Sequence, residues 1–202
     1  MALFPRRLRP PAGLRSLLAR DERLLAIAED GAAGVAATQI GLWLPVASPI
    51  GPEAALESEP ERSSEPAPPA EPASPAPGWR RIGWDEVVKA SWGEDGLQII
   101  EGMLDDTGIV TDLPTLTVRL TEPRNLPTVV KTRVEASIAR WEQVRVPGGS
   151  ARIVARRRPG TDGLLWTARL DSGTPDSAQA RAALAGYLDR VRKLTPEQLF
   201  PA

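Results

Sequence analysis

A long proline-rich segment constrains the fold more than any other feature of the sequence. Between Ser48 and Gly78, nine residues are proline, and most of the others are alanine, serine or glutamate. Such a segment cannot bury enough apolar surface to offset the entropy of ordering the chain, so we expect it to be disordered or extended. Its PxxP spacings, for example Pro66 to Pro69, suit a polyproline II helix that docks in an aromatic groove. A solvated loop insertion is the alternative.

Charge is distributed unevenly along the chain. The net charge is −1, but the segment from Ser48 to Gly78 carries six glutamates and one arginine. That leaves 24 basic and 20 acidic residues elsewhere, a balance of +4. Nucleic-acid-binding domains are usually more basic than this. We therefore expect no nucleic-acid partner.

The chain has no cysteine and no histidine. It therefore lacks disulfides, zinc–thiolate sites, a cysteine nucleophile and the commonest general base. We expect no metal, no cofactor and no enzymatic activity, although an enzyme that uses only carboxylates or lysine stays open. Asp105, Asp106 and Asp112 are candidate carboxylate ligands, but their spacing does not fit a calcium loop and favours a polar turn.

The sequence predicts a cytoplasmic protein. Arginines follow the first residues, but no apolar run follows the arginines, so we expect no secretory signal. Residues 31–52 carry no charge, yet they contain four glycines and three prolines. This composition favours a buried β-hairpin over a membrane-spanning helix.

Hydrophobic periodicity and turn residues predict a sheet-rich chain. Val130, Val134, Ile138 and Trp141 form an apolar stripe on a helix that begins near Asn125. A short helix is predicted over residues 11–20 and a last helix over residues 178–194, capped by Asp176 or Ser177. The predicted strands cover residues 24–28, 34–38, 42–46, 80–83, 87–92, 97–103, 115–120, 151–157 and 164–170.

The order of about seven short antiparallel strands and then one amphipathic helix resembles a bacterial pleckstrin-homology-like (PH-like) domain. The segments that carry the resemblance run from Val35 to Leu42 and from Ile82 to Val87. The resemblance implies an α+β fold in which a bent antiparallel sheet forms a partly open barrel that the helix caps. The whole chain is also similar to small proteins of GC-rich Gram-positive bacteria, a similarity that implies no function.

The resemblance also implies a division of the chain. It covers residues 22–142, interrupted by the insert at residues 48–78. Residues 1–21 are then an N-terminal basic segment with a short helix. Residues 143–202 form an extra C-terminal hairpin and helix, packed on the domain or beside it.

An arginine-rich strand is the best candidate site. Alternation along the strand that begins at Ala151 places Arg152, Arg156 and Arg158 on one face and Arg157 on the other. Guanidinium groups bind phosphate and carboxylate in bidentate fashion. The face is therefore a candidate anion-binding site, and a solvated outer face is the alternative.

Six tryptophans are numerous for a chain with one tyrosine and two phenylalanines. Trp79 and Trp84 flank the end of the insert, so we expect both side chains to be partly exposed. Because tryptophan is enriched at binding hot spots, one of them is a candidate anchor for a partner. The other four are predicted to be core residues: Trp43, Trp92, Trp141 and Trp166.

The sequence thus favours a non-enzymatic interaction module that binds a protein partner. The alternative is an adaptor that uses Arg152, Arg156 and Arg158 to contact an anionic membrane surface or a phosphorylated ligand.

Overall fold

The computed structural model describes residues 8–11, 13–30, 33–46 and 78–194. The PxxP spacings and the basic cluster at Arg6 and Arg7 lie outside the described residues. Within the described ranges the chain forms eleven strands and two helices. They are β1 (Leu24–Asp30), β2 (Ala33–Thr38), β3 (Gly41–Val46), β4 (Gly78–Gly83), β5 (Val87–Gly93), β6 (Gly96–Leu104), β7 (Val110–Asp112), β8 (Leu116–Val118), α1 (Leu126–Ser137), β9 (Ile138–Val146), β10 (Gly149–Arg156), β11 (Leu165–Leu170) and α2 (Ala178–Arg192).

The strands form three antiparallel sheets. The first has the order β1-β2-β3-β4, the second β5-β6-β7 with β8 also paired to β6, and the third β11-β10-β9. The described residues form no closed barrel. The predicted α+β class is confirmed, and most neighbouring strands of each sheet are consecutive in chain order.

The first hydrophobic core lies between the first two sheets and α1. Alternate residues of β1 to β4 enter it, as Val35 and Ala37 do on β2, and Trp84 fills the space behind the β4–β5 turn. Helix α1 adds Leu126 and Val130, both fully buried. We call the elements around this core, β1 to β6 with β8 and α1, the first lobe, and the third sheet with α2 the second lobe.

The opposite face of the first sheet is also covered. Residues 13–20 form hydrogen-bonded turns rather than the helix predicted over residues 11–20, and these turns place Leu14 against Trp43 and Trp79. Gly13 has a φ of 77°, which lies outside the helical region, and a lone short helix is marginal in water. The helix prediction here was wrong, and of its leucines Leu14 is fully buried whereas Leu17 is 49% exposed.

A second core forms under the third sheet. The inner face of β10, with Ala151 and Ile153, packs against Leu184 and Leu188 of α2. Of the two caps that the sequence left open, Asp176 and Ser177, the structure has Ser177 as the N-cap of α2: its hydroxyl accepts from the Ala180 N–H at 3.1 Å. Ile109 from the β6–β7 turn belongs to this second core as well.

Strand β6 joins the two lobes. Its first half pairs with β5 and β8, whereas its last residues pair with β7. At the change of partner stands Gly102, where a Cβ would lie 2.7 Å from the Val88 Cγ2 atom and would also collide with Val110. Glycine therefore permits the close packing at this point.

Helix α1 ends earlier than the apolar stripe predicted. It stops at Ser137, and the stripe residues Ile138 and Trp141 lie on β9 instead. The Arg157 backbone N–H donates to the Ser137 carbonyl at 2.7 Å, and the Arg157 side chain donates to the Ala136 carbonyl. Donors from the segment after β10 thus satisfy the last carbonyls of the helix. The third sheet begins at Ile138, whereas the sequence predicted that the C-terminal segment begins after residue 142.

No helix within the described ranges is both long enough and apolar enough to cross a membrane. The uncharged stretch that begins at residue 31 instead contributes the hairpin of β2 and β3.

Candidate ligand-binding cleft

A cleft of about 500 Å³ lies between the third sheet and the β5–β6–β7 sheet. One wall is the outer face of β10 and β11 with part of β9. The other wall is the C-terminal half of β6 with its neighbours on β5 and β7. We call this space the interlobe cleft.

The candidate arginines of the sequence lie in this cleft. Arg152 and Arg156 alternate on one face of β10 with Val154 between them, and all three line the interlobe cleft. Arg158 lies two residues beyond the end of β10, but its side chain lines the same cleft. The structure thus brings the three together, and anion binding by them stays a prediction.

Arg169 is a fourth arginine of the cleft that the sequence analysis missed. It lies on β11 directly opposite Arg152 in the antiparallel register. Its guanidinium forms a short ion pair with the Asp112 carboxylate of β7. The available signal was the turn from Pro159 to Gly163, because pairing the strands across this turn brings Arg169 to the level of Arg152.

Arg156 is the most buried of the four, at 7% exposed. Its Nη1 donates to the Ser137 hydroxyl at 2.9 Å and to the Trp84 carbonyl at 3.4 Å. Burial lowers the pKa of Arg156, the nearby Asp85 opposes this shift, and Arg169 adds to it. The guanidinium remains charged at neutral pH, because arginine is not deprotonated in proteins.

The Arg158 side chain forms an ion pair with Asp85. Its Nε donates to Asp85 Oδ2 at 2.8 Å, and the Asp85 side chain is only 6% exposed. Asp85 therefore faces two arginines, since it also attracts Arg156 electrostatically.

Arg152 is half-exposed and rests on an aromatic ring. Its Cζ lies 5.0 Å from the centre of the Trp141 ring, which is cation–π geometry. Its nearest carboxylate is Asp171, at 4.0 Å. Hydrogen bonds from Ser150 and then Gln143 hold the pKa of Asp171 below its ordinary value, against an opposing effect of burial.

The rim of the cleft carries exposed apolar side chains. Trp141 is 57% exposed on one wall, and Met103 and Leu104 are exposed on the other. Such residues scattered singly need no explanation, but a group around one concave site is typical of a binding surface. Met103 was predicted only as the last residue of a strand, and Leu104 was not singled out.

The two tryptophans proposed as partner anchors are core residues. Trp84 is 2% exposed and donates its Nε1–H to the Thr38 carbonyl at 3.0 Å, and Trp79 is 9% exposed beneath the N-terminal turns. The expected exposure at both was wrong, because the β4 strand that starts at Gly78 draws them into the two faces of the first lobe. The exposed tryptophans are Trp92 and Trp141, both predicted as core.

The acidic residues after β6 form a turn, as the sequence favoured. Asp105 Oδ1 accepts from the N–H groups of Thr107 and Ile109, each at 2.9 Å, and Oδ2 accepts from Arg181. Asp112 pairs with Arg169. Within the part of the chain that the structure describes, no three carboxylates are grouped so that they could hold a metal ion.

No protein-family model matches this sequence, and neither the curated proteins nor the solved structures include a detectable match. The function of the cleft therefore has to be argued from its own chemistry. An arginine floor with apolar walls can hold a ligand that is anionic at one point and apolar around it.

Proposed function

We propose that this chain is a non-enzymatic, PH-like interaction module that holds a segment of a partner protein in the interlobe cleft. The PH-like assignment is supported by the order of β1 to β8 followed by α1, and by the packing of α1 against both sheets of the first lobe. The C-terminal hairpin and α2 extend that arrangement and supply the second wall of the cleft.

One observation carries the proposal. Three of the exposed large apolar side chains, Trp141, Met103 and Leu104, surround a single cleft whose floor is arginine. Tryptophan, methionine and arginine are enriched at protein interfaces, and water is a poor solvent for the first two. A partner segment that covers this rim removes apolar area from water and meets the guanidinium groups in the same step.

The recessed position of the arginines favours this function over an adaptor for a membrane surface. Arg156 lies at the bottom of the cleft and is almost fully buried, and Arg158 is paired with Asp85. A flat anionic surface meets exposed cations best. A ligand that projects a group into the cleft reaches these arginines, whereas a bilayer does not.

Site-specific photocrosslinking tests the proposal. A photoreactive amino acid at Met103, on the cleft rim, is expected to capture one protein from native lysate. The same group at Glu94, in the exposed β5–β6 turn, is the matched control and should not capture it. The adduct at position 103 should also disappear in the Trp141→Ser variant. Equal capture from positions 103 and 94, or none from either, contradicts the proposal.

A further inference from the structure

Two arginines face each other across the strands of the cleft floor. Arg152 on β10 and Arg169 on β11 are direct register partners, so both side chains leave the sheet on the same face. Like charges directly opposite on neighbouring strands are destabilising. Arg169 also acts electrostatically on Arg156, which places three guanidinium groups in one neighbourhood.

The aspartates that pair with the arginines of the cleft carry fewer charges than the arginines do. Three aspartates serve four arginines: Asp112 pairs with Arg169, Asp171 lies near Arg152, and Asp85 is shared by Arg156 and Arg158. One positive charge is left over, and the most buried cation, Arg156, has no carboxylate within 4 Å among the described residues.

Two glutamates also line the cleft, and neither removes this excess. Glu101 forms its ion pair with Arg80, at 2.8 Å. Glu86 is exposed and accepts the Gly83 N–H at 2.6 Å, so water and that donor already solvate its charge. Among the described residues, Arg156 is therefore the arginine of the cleft that has no carboxylate within 4 Å, and it is also the most buried of the four.

We propose, resting on the function proposed above, that the partner segment is an acidic peptide flanked by apolar side chains, whose single carboxylate binds among Arg152, Arg156 and Arg169. Its apolar side chains lie between Trp141 and the exposed end of β6. A buried charge is costly unless it is paired, so a carboxylate at this position supplies what the cleft floor lacks.

A carboxylate suits the site better than a phosphate. One unit of excess charge matches one carboxylate, whereas a phosphate brings a charge of about −1.5 to −2 next to three aspartates. A peptide also suits the site better than a small acid. The exposed Met103, Leu104 and Trp141 lie around the mouth of the cleft, where a chain that continues beyond it covers them.

Selection from a displayed library of random peptides tests the inference on the full chain. Peptides enriched on the wild-type protein should contain one aspartate or glutamate next to aromatic or aliphatic residues. Replacing that acid by its amide in a synthetic copy should weaken binding about tenfold, measured by fluorescence anisotropy, since a hydrogen-bonded charge pair is lost. This arm changes only the peptide, so the folding of a protein variant does not affect it.

The protein arm uses Arg152→Met, with Arg145→Met as its matched control. Arg145 lies on the same face of the third sheet but outside the cleft, and it is exposed. The first variant should lose about tenfold in affinity and much of the salt dependence of binding, while the second stays within about twofold of wild type.

The outcomes separate the two proposals. If neither the amide peptide nor Arg152→Met binds more weakly, while Trp141→Ser abolishes binding, the acidic chemistry is overturned and the proposed function stands. If no peptide binds at the cleft and Trp141→Ser has no effect on partner capture, the proposed function fails. Enrichment of phosphate-dependent or uncharged peptides also overturns the acidic assignment.

Other occupants appear as distinct results. Tighter peptide binding after deletion of residues 48–77 would assign the cleft to the chain's own glutamate-rich segment. Self-association in analytical ultracentrifugation that Arg152→Met removes would assign it to a second copy. Either result overturns the assignment to a partner's peptide.

Discussion

Arg158 Nε donates to Asp85 Oδ2 at 2.8 Å and thereby ties the end of β10 to the turn between β4 and β5. Asp85 is buried, whereas Arg158 is half-exposed. Replacing Arg158 by methionine leaves a buried carboxylate without its main partner. We expect the free energy of unfolding to fall by about 1–3 kcal/mol, towards the lower end because Arg156 still attracts Asp85.

Chemical denaturation measures this loss, and a double-mutant cycle with Asp85→Asn isolates the pair. The control is Arg119→Met, which removes an arginine from an exposed pair with Asp95 at 4.0 Å. That variant should stay within about 0.5 kcal/mol of wild type. Equal effects of the two arginine substitutions would mean that the Arg158 pair does not hold the lobes together.

Burial separates the tryptophans into two classes with different expected roles. Trp84 fills the first core and bonds the Thr38 carbonyl, so Trp84→Ala should cost about 3–5 kcal/mol. Trp92 is exposed at the end of β5, and Trp92→Ala should cost less than about 1 kcal/mol. Urea unfolding followed by circular dichroism measures both, because the free energy comes from the midpoint and slope of the transition and not from the amplitude of the signal.

The sequence predicts local features of this fold well where a neighbour in sequence decides them. The serine cap of α2 and the β2–β3 hairpin depend on residues a few positions apart. The end of α1 depends instead on Arg157, which bonds its last carbonyls from a strand that comes later in the chain. The apolar stripe with a 3.6-residue period therefore predicted a helix beyond Ser137, where the structure has strand β9.

The candidate site shows the same limit. Alternation along β10 correctly placed Arg152 and Arg156 on one face. It did not reveal that Arg158 pairs with Asp85, because 73 positions separate the two residues in the chain. The excess charge of the cleft follows from such long-range pairs, and no local pattern records them.

Acid should weaken the contact between the β6–β7 turn and α2. Burial favours a higher pKa for Asp105, but hydrogen bonds from Thr107 and Ile109 and the charge of Arg181 outweigh it and lower the pKa. A lowered pKa stabilises the fold above the unfolded-state pKa of about 3.9, and this contribution is lost as pH falls through the folded-state pKa.

The charge-removing variant Asp105→Asn keeps an oxygen that accepts the turn hydrogen bonds. We expect it to melt below wild type at pH 7 and to approach wild type as the pH falls below the unfolded-state pKa of about 3.9, because the contribution of the carboxylate is then progressively lost. The neighbouring exposed Asp106→Asn is the matched control for removing one charge from the same turn, and it should melt close to wild type at pH 7. A gap between wild type and Asp105→Asn that widens in acid would contradict the sign of the shift.

Deletion of the proline-rich segment should leave the fold intact. Val46, the last residue of β3, is the register partner of Gly78, the first residue of β4, so the two ends of the segment stand opposite each other on paired strands. Two facing strand ends can be joined by a short hairpin turn that contains Asn-Gly.

Shortening the connection from about 30 residues to about four removes roughly three doublings of loop length, each worth about 0.6 kcal/mol in closure entropy. We therefore expect the free energy of unfolding to stay the same or to rise by up to about 2 kcal/mol, measured by urea denaturation. A loss of more than about 2 kcal/mol would mean that residues 47–77 contribute packing to the folded state, and it would contradict a solvated loop insertion between β3 and β4.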